Sequence, residues 1–150
     1  MKIKIFVNNK IYTPEITPDT LLYDLLRSLG YLAVKKGCDT TNCGLCTVWV
    51  EEKPVLSCSI LAAKCQNKHI TTLEGLQDEA QKVAVIFGNE GTEQCGFCSP
   101  GLIMTVIAMK KELIKPTEEE INNYLAGNLC RCTGYMSQMR AIKKYLEAAE

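Results

Sequence analysis

The chain has 150 residues with 17 basic and 17 acidic side chains, and its formal net charge is zero. That balance lacks the cationic surplus that duplex nucleic acid demands, and no apolar run is long enough for a bilayer span, so neither nucleic acid nor membrane is expected as a partner. Met1-Lys2-Ile3-Lys4-Ile5 has no apolar signal core, so a cytoplasmic location is expected, with reduced cysteines serving as metal or sulfur ligands rather than disulfides.

Residues 1–10 alternate, with Ile3, Ile5 and Val7 on one face. Asn8-Asn9 is a turn signal and Ile11-Tyr12-Thr13 restarts an extended run, which predicts a hairpin. Asp19 or Thr20 can cap a helix that runs to Leu29. Its Leu21, Leu22, Leu25, Leu26 and Leu29 make one apolar stripe, and Gly30 stops it. A loop over residues 37–46 follows, then a strand Thr47–Val50, a turn at Glu51-Glu52-Lys53 and a return strand Pro54–Leu56. A short helix over Ser59–Lys64 and a strand over His69–Leu73 complete a small mixed sheet crossed by one helix. His69, the single histidine, is expected at a sheet edge, and Trp49 in a core.

Past residue 77 the pattern turns helical. Ala80, Val83, Ile86 and Phe87 mark one helix; Leu102, Val106, Met109 and Leu113, widened by Ile103, Ile107 and Ile114, mark a second. Pro116 and the capping box Thr117…Glu120 start a third, which Gly127 ends. The fourth spans residues 137–149 with Met139, Ile142 and Leu146 inward. The fold class is therefore α+β: residues 1–75 as a sheet domain, residues 76–150 as an all-α four-helix bundle.

Eight of the nine cysteines fall into two sets of four. Cys38, Cys43, Cys46 and Cys58 are spaced C-x4-C-x2-C with a fourth after eleven residues, the plant-type ferredoxin spacing for a [2Fe–2S] cluster. Cys95, Cys98, Cys130 and Cys132 are spaced C-x2-C, a long gap, then C-x-C. Such a cluster takes two thiolates on each iron and is anionic, so its loops should aim backbone N–H groups inward. Asp39, Asn42 and Gly44, types that tolerate positive φ, are suited to that. In the second set Pro100-Gly101 opens a helix, whose N-terminus favours an anion. Zinc could use a C-x2-C pair, but C-x4-C-x2-C is not zinc spacing. Cys65, the ninth cysteine, reads as a small core residue.

The runs Gly37-Cys38…Cys43-Gly44-Leu45-Cys46-Thr47-Val48, Gln94-Cys95-Gly96-Phe97-Cys98-Ser99-Pro100-Gly101 and Gly127-Asn128-Leu129-Cys130-Arg131-Cys132-Thr133-Gly134-Tyr135 resemble the small iron–sulfur subunit of the xanthine dehydrogenase family. These are molybdenum hydroxylases that include aldehyde oxidoreductases and nicotinate dehydrogenase. The resemblance covers nearly the whole chain. It implies a plant-ferredoxin-like β-grasp domain followed by the bundle, and two [2Fe–2S] clusters relaying electrons. The electrons would come from molybdopterin on a large subunit and pass towards FAD on a medium subunit or another acceptor. It also implies that Gln94 and Cys132 lie against the pterin, and that this chain alone oxidises no substrate. A free-standing two-cluster ferredoxin-like carrier is the alternative. One departure stands out: Thr41 or a neighbour replaces a glycine common in relatives, which bears on the N–H geometry at the sulfurs.

Overall fold

The computed structural model describes residues 1–148. The first part contains β1 (Ile5–Val7), β2 (Lys10–Tyr12), α1 (Leu22–Ser28), β3 (Thr47–Val50), β4 (Lys53–Leu56) and β5 (His69–Thr71). The second contains α2 (Gln77–Asn89), α3 (Ser99–Glu112), α4 (Glu118–Tyr124) and α5 (Met136–Glu147). Ala149, the expected end of the last helix, lies outside the described residues.

The strands form one sheet in the order β2-β1-β5-β3-β4. β1 and β5 are parallel and the other neighbours antiparallel. Both hairpins turn on two residues of positive φ, Asn8-Asn9 and Glu51-Glu52, whose left-handed geometry matches the twist of the flanking strands. Asparagine suits such a turn; glutamate does not, and here His69 compensates. The Glu51 N–H donates to the His69 carbonyl at 2.9 Å, and the His69 N–H donates to the Glu51 carboxylate. His69 is thus on the central strand rather than at an edge, with its ring stacked on Phe6 at 4.6 Å.

α1 lays Leu22, Leu25 and Leu26 across the sheet onto Ile5, Val7, Val48 and Ile70. It starts later than the cap residues predict, because the Thr17 and Thr20 hydroxyls bond each other and Leu21 pairs with Leu61 as a short antiparallel bridge. The same bridge breaks the helix expected over 59–64 into two tight turns, Ser57–Ser59 and Ala62–Cys65. The Ala62 N–H donates to Thr20 and the Leu22 N–H to Ile60 across it. Gly30, at φ +91, closes α1 as expected, with Gly30 N–H bonded to Arg27 O and Tyr31 N–H to Leu26 O.

In the bundle, α3 is buried on every side from Gly101 to Met109, which is why its residues are apolar all round. α2 and the sheet, through β3 and β4, pack against it. The capping box of α4 forms as read from the sequence. Three expectations shift. α4 ends at Tyr124 before Gly127. α3 ends at Glu112 with Leu113 extended, which leaves Ile114 93% exposed. α5 buries Gln138, Ala141, Ile142 and Tyr145 rather than centring on Met139, Ile142 and Leu146.

Trp49 joins the two parts. It sits on β3 but packs in the bundle core with Val83, Phe87 and Ile103, and its indole N–H donates to Met104 O at 3.1 Å. Nearby the Cys43–Leu45 loop enters between the start of α3 and the α4–α5 loop. A Cβ on Gly101 would stand 2.3 Å from Gly44 O, and one on Gly44 2.3 Å from Gly127 O. The Leu129 N–H donates to Cys43 O at 2.9 Å.

Gly101→Ala sets two effects against each other. Helix propensity favours alanine by about 1 kcal/mol, whereas backbone overlap of this kind costs about 1–3 kcal/mol. We expect net destabilisation, seen as a lower urea midpoint with an unchanged slope; a higher midpoint would show that the loops can move apart freely.

Candidate functional site

All nine cysteines are free thiols. The eight expected ligands gather into the two expected sets, and each set divides into two pairs. In the first, Cys38 pairs with Cys43 and Cys46 with Cys58. In the second, Cys95 and Cys132 are 3.5 Å apart at sulfur and Cys98 pairs with Cys130. Cys65 belongs to neither set and is buried in the sheet-domain core.

The loops aim donors at these sulfurs. The N–H of Asn42 leads in drawing the Cys38 thiol down to about 6, helped by the Cys43 thiol and the N–H groups of Cys43 and Thr40. That loop shape needs Thr41 at φ +56, an outlier for a β-branched residue, at the position where a glycine was expected. Gly44 is also at positive φ (+75), while Asp39 and Asn42 are not. Burial pushes Cys58 up to about 12, with the Cys46 thiol adding to it. In the second set burial pushes Cys98 up to about 11. Burial pushes Cys130 up as well, but the Thr133 hydroxyl and the N–H groups of Cys132 and Thr133 outweigh it and hold Cys130 at about 7. Cys98 is the N-cap of α3, and Pro100 stands in its first turn.

Among the described residues no three His, Cys, Asp or Glu side chains are grouped as for one metal ion. A single zinc would need one four-sulfur focus. Two pairs per set instead fit a two-iron centre that takes two thiolates at each iron. A cleft of about 520 Å³ runs between the sets and touches Cys38, Cys43, Cys95, Cys98, Cys130 and Cys132. Cys98 and Cys130 face Cys43 across the seam, whereas Cys95 and Cys132 are exposed. Gln94, beside this outer pair, is exposed with no hydrogen-bond partner among the described residues. Exposed Phe97, Leu129 and Tyr135 line the same cleft as Cys95 and Cys132.

Residues 5–84 match the family model of a 2Fe-2S iron-sulfur cluster binding domain, and residues 72–143 that of a [2Fe-2S] binding domain. The chain is 44% identical to the xanthine dehydrogenase iron-sulfur-binding subunit of Escherichia coli O157:H7, over 89% of this chain and 86% of that one. This chain belongs to the iron–sulfur small subunits of the xanthine dehydrogenase family. It is also 37% identical to the nicotinate dehydrogenase small FeS subunit of Eubacterium barkeri, over 97% of this chain and 94% of that one. The fold agrees: quinoline 2-oxidoreductase from Pseudomonas putida 86 superposes with a TM-score of 0.88 at 33% identity, covering 97% of this chain and 93% of the matched chain. In the aldehyde oxidoreductase of Desulfovibrio gigas the matching region is 17% of a longer chain (TM-score 0.86, 32% identity). The chain is thus an iron–sulfur electron-transfer subunit of a molybdenum-hydroxylase oxidoreductase, built as a β-grasp domain and a helical [2Fe–2S] domain.

Two side chains that bond to the thiols escaped the sequence reading. Thr133 donates from its hydroxyl to Cys130 Sγ at 3.2 Å, and Gln138 donates from its amide to Cys98 Sγ at 3.9 Å. The visible signal for Gln138 was a lone amide in step with the apolar positions 141, 142 and 145 of its helix.

The thiols should differ in reactivity when no iron is present. Thiolate is the nucleophile, so at pH 7 Cys38, drawn to about 6, should be alkylated by iodoacetamide first, and its rate should fall as pH drops below about 6. Cys65, raised by burial and 1% exposed, should react well after Cys38. Peptide mass spectrometry of a time course checks the order; Cys65 ahead of Cys38 would contradict it.

Proposed function

We propose that the chain carries two [2Fe–2S] clusters, one held by Cys38, Cys43, Cys46 and Cys58 in residues 1–75, the other by Cys95, Cys98, Cys130 and Cys132 in residues 76–150. In this reading it works in the cytoplasm as the middle of a chain of carriers. Electrons enter from a molybdopterin on a large partner subunit, reach the bundle set, cross to the β-grasp set, and leave to FAD on a medium subunit or to another acceptor. The observation that carries the reading is the order of the thiols in space. Cys95 and Cys132 are exposed, Cys98 and Cys130 lie inward at the seam, and Cys43 stands on its far side. One hydrogen bond, Leu129 N–H to Cys43 O, connects the residue before Cys130 to a ligand of the other set. The apolar rim of Phe97, Leu129 and Tyr135 supports a larger partner at the outer end, since such patches mark association surfaces. The relatives' names include xanthine, nicotinate and caffeine dehydrogenases, which supports substrate choice residing outside this subunit.

Low-temperature EPR of the reduced chain should show two [2Fe–2S] signals. Serine at any of the eight ligands should remove one signal and leave the other, and serine at Cys65 should remove neither. A single signal, or loss of one on changing Cys65, contradicts the assignment. Gln94 and Cys132 are proposed to lie against the pterin. An amide both donates and accepts, and a heterocycle edge needs both. In the assembled complex Gln94→Ala should keep both clusters but slow their reduction by substrate, or lower molybdenum content, several-fold, since one hydrogen bond is worth about 0.5–1.5 kcal/mol. Stopped-flow reduction and metal analysis read the two; wild-type values for both would remove Gln94 from the route.

A further inference from the structure

The buried polar side chains among the described residues are Thr47, Ser57, Thr72, Thr92, Thr105 and Gln138. Four of them bond a backbone carbonyl: Thr47 to Gly44, Ser57 to Cys46, Thr92 to Phe87 and Thr105 to Gly101. Thr72 bonds Asn8 and Glu74. Gln138 alone bonds a sulfur. It is 5% exposed, on the first turn of α5 in line with Ala141, Ile142 and Tyr145, where a leucine would serve packing without burying an amide. Its nitrogen is 3.9 Å from Cys98 Sγ. A thiolate only accepts hydrogen bonds, so the amide must present N–H to it and not its carbonyl. The residue also lines the seam where Cys43, Cys98 and Cys130 meet, between the two thiol sets.

We propose that Gln138 is a positioning residue that sets the reduction potential of the bundle centre by donating its amide N–H to Cys98 Sγ. The inference rests on the reading above that Cys98 ligates a [2Fe–2S] cluster. Reduction adds one negative charge, which spreads onto the sulfurs. A donor at a ligand sulfur therefore stabilises the reduced form more than the oxidised form and raises the potential. Among the described residues no other side-chain N–H or hydroxyl donates to Cys98, because Thr133 serves Cys130. The donor is a neutral amide, so its effect should be the same across neutral pH.

The experiment is an EPR-monitored dithionite titration of the full chain with its clusters, comparing wild type with Gln138→Leu and Gln138→Met, which keep the volume and lose the donor. Cys98→Ser identifies which signal belongs to the bundle set. In both variants that centre should become harder to reduce by about three- to tenfold in the one-electron equilibrium, tenfold being about 59 mV. The other centre should be unchanged. A wild-type potential in the variants overturns the proposal. So does loss of the bundle signal from both variants with helical content intact, which would give Gln138 a role in holding the loop. Absence of clusters from the wild-type chain would instead sink the parent reading and is seen before any variant is made.

Discussion

The arrangement depends on one close approach of backbones. The Cys43–Leu45 loop enters between the start of α3 and the α4–α5 loop, near enough that Gly44 and Gly101 admit no Cβ without overlap with a carbonyl. Irregular backbone is costly to bury unless its N–H and C=O groups find partners. Here one partner comes from across the seam, where Cys43 O accepts from Leu129 N–H, and one from the sheet itself, where Gly44 O accepts from the Thr47 hydroxyl at 2.7 Å. The cross-seam bond and the close glycine contacts bring Cys43 to face Cys98 and Cys130. A side chain at Gly101 would push the two loops apart, and one at Gly44 would in addition strain its own loop, since Gly44 stands at φ +75.

Trp49 holds this approach in place. The sheet has its own core around α1, made of residues up to Ile70, and the bundle core begins at Val83, with Trp49 as the one contribution from the sheet. An indole buries a large apolar area and needs a partner for its N–H. Met104 O supplies that partner from the middle of a helix, which fixes both depth and rotation of α3 against β3. The N-terminus of that helix carries Cys98 and Gly101, so fixing α3 sets the distance between the loops. Lys111 stacks its ammonium over the same indole at 4.5 Å and closes the solvent side.

What was legible in the sequence was local. The Asn8-Asn9 turn, the Gly30 stop and the Thr117…Glu120 capping box each depend on residues a few positions apart, and each formed; the eight cysteines singled out by their spacing lie together as two groups of thiols. What was not legible depended on pairing between distant segments. The start of α1 and the lost helix at 59–64 both trace to the Leu21–Leu61 bridge, which no local pattern announces. The inward face of α5 was misjudged because Gln138 and Tyr145 reach partners on other helices, Cys98 and Glu79, so polar atoms occupy what looks from the sequence like an outer face. His69 was expected at a sheet edge. Its place at the centre follows from the parallel pairing of β1 with β5.

The two thiol sets are supplied with donors in different ways, and that has consequences for how each can be adjusted. Cys38 receives only backbone N–H donors, from Asn42, Cys43 and Thr40, besides its neighbouring thiol. Their directions are fixed by the loop conformation, including the strained Thr41. No single side-chain change can remove such a donor without changing the path of the chain. The bundle set adds side-chain donors, Thr133 to Cys130 and Gln138 to Cys98. These can be exchanged one at a time while the loops keep their shape. Substitution therefore has a direct handle on the bundle set, while the sheet-domain set stays tied to its backbone. On the proposed two-cluster reading, this asymmetry lets sequence change adjust the step at the seam from the bundle side alone.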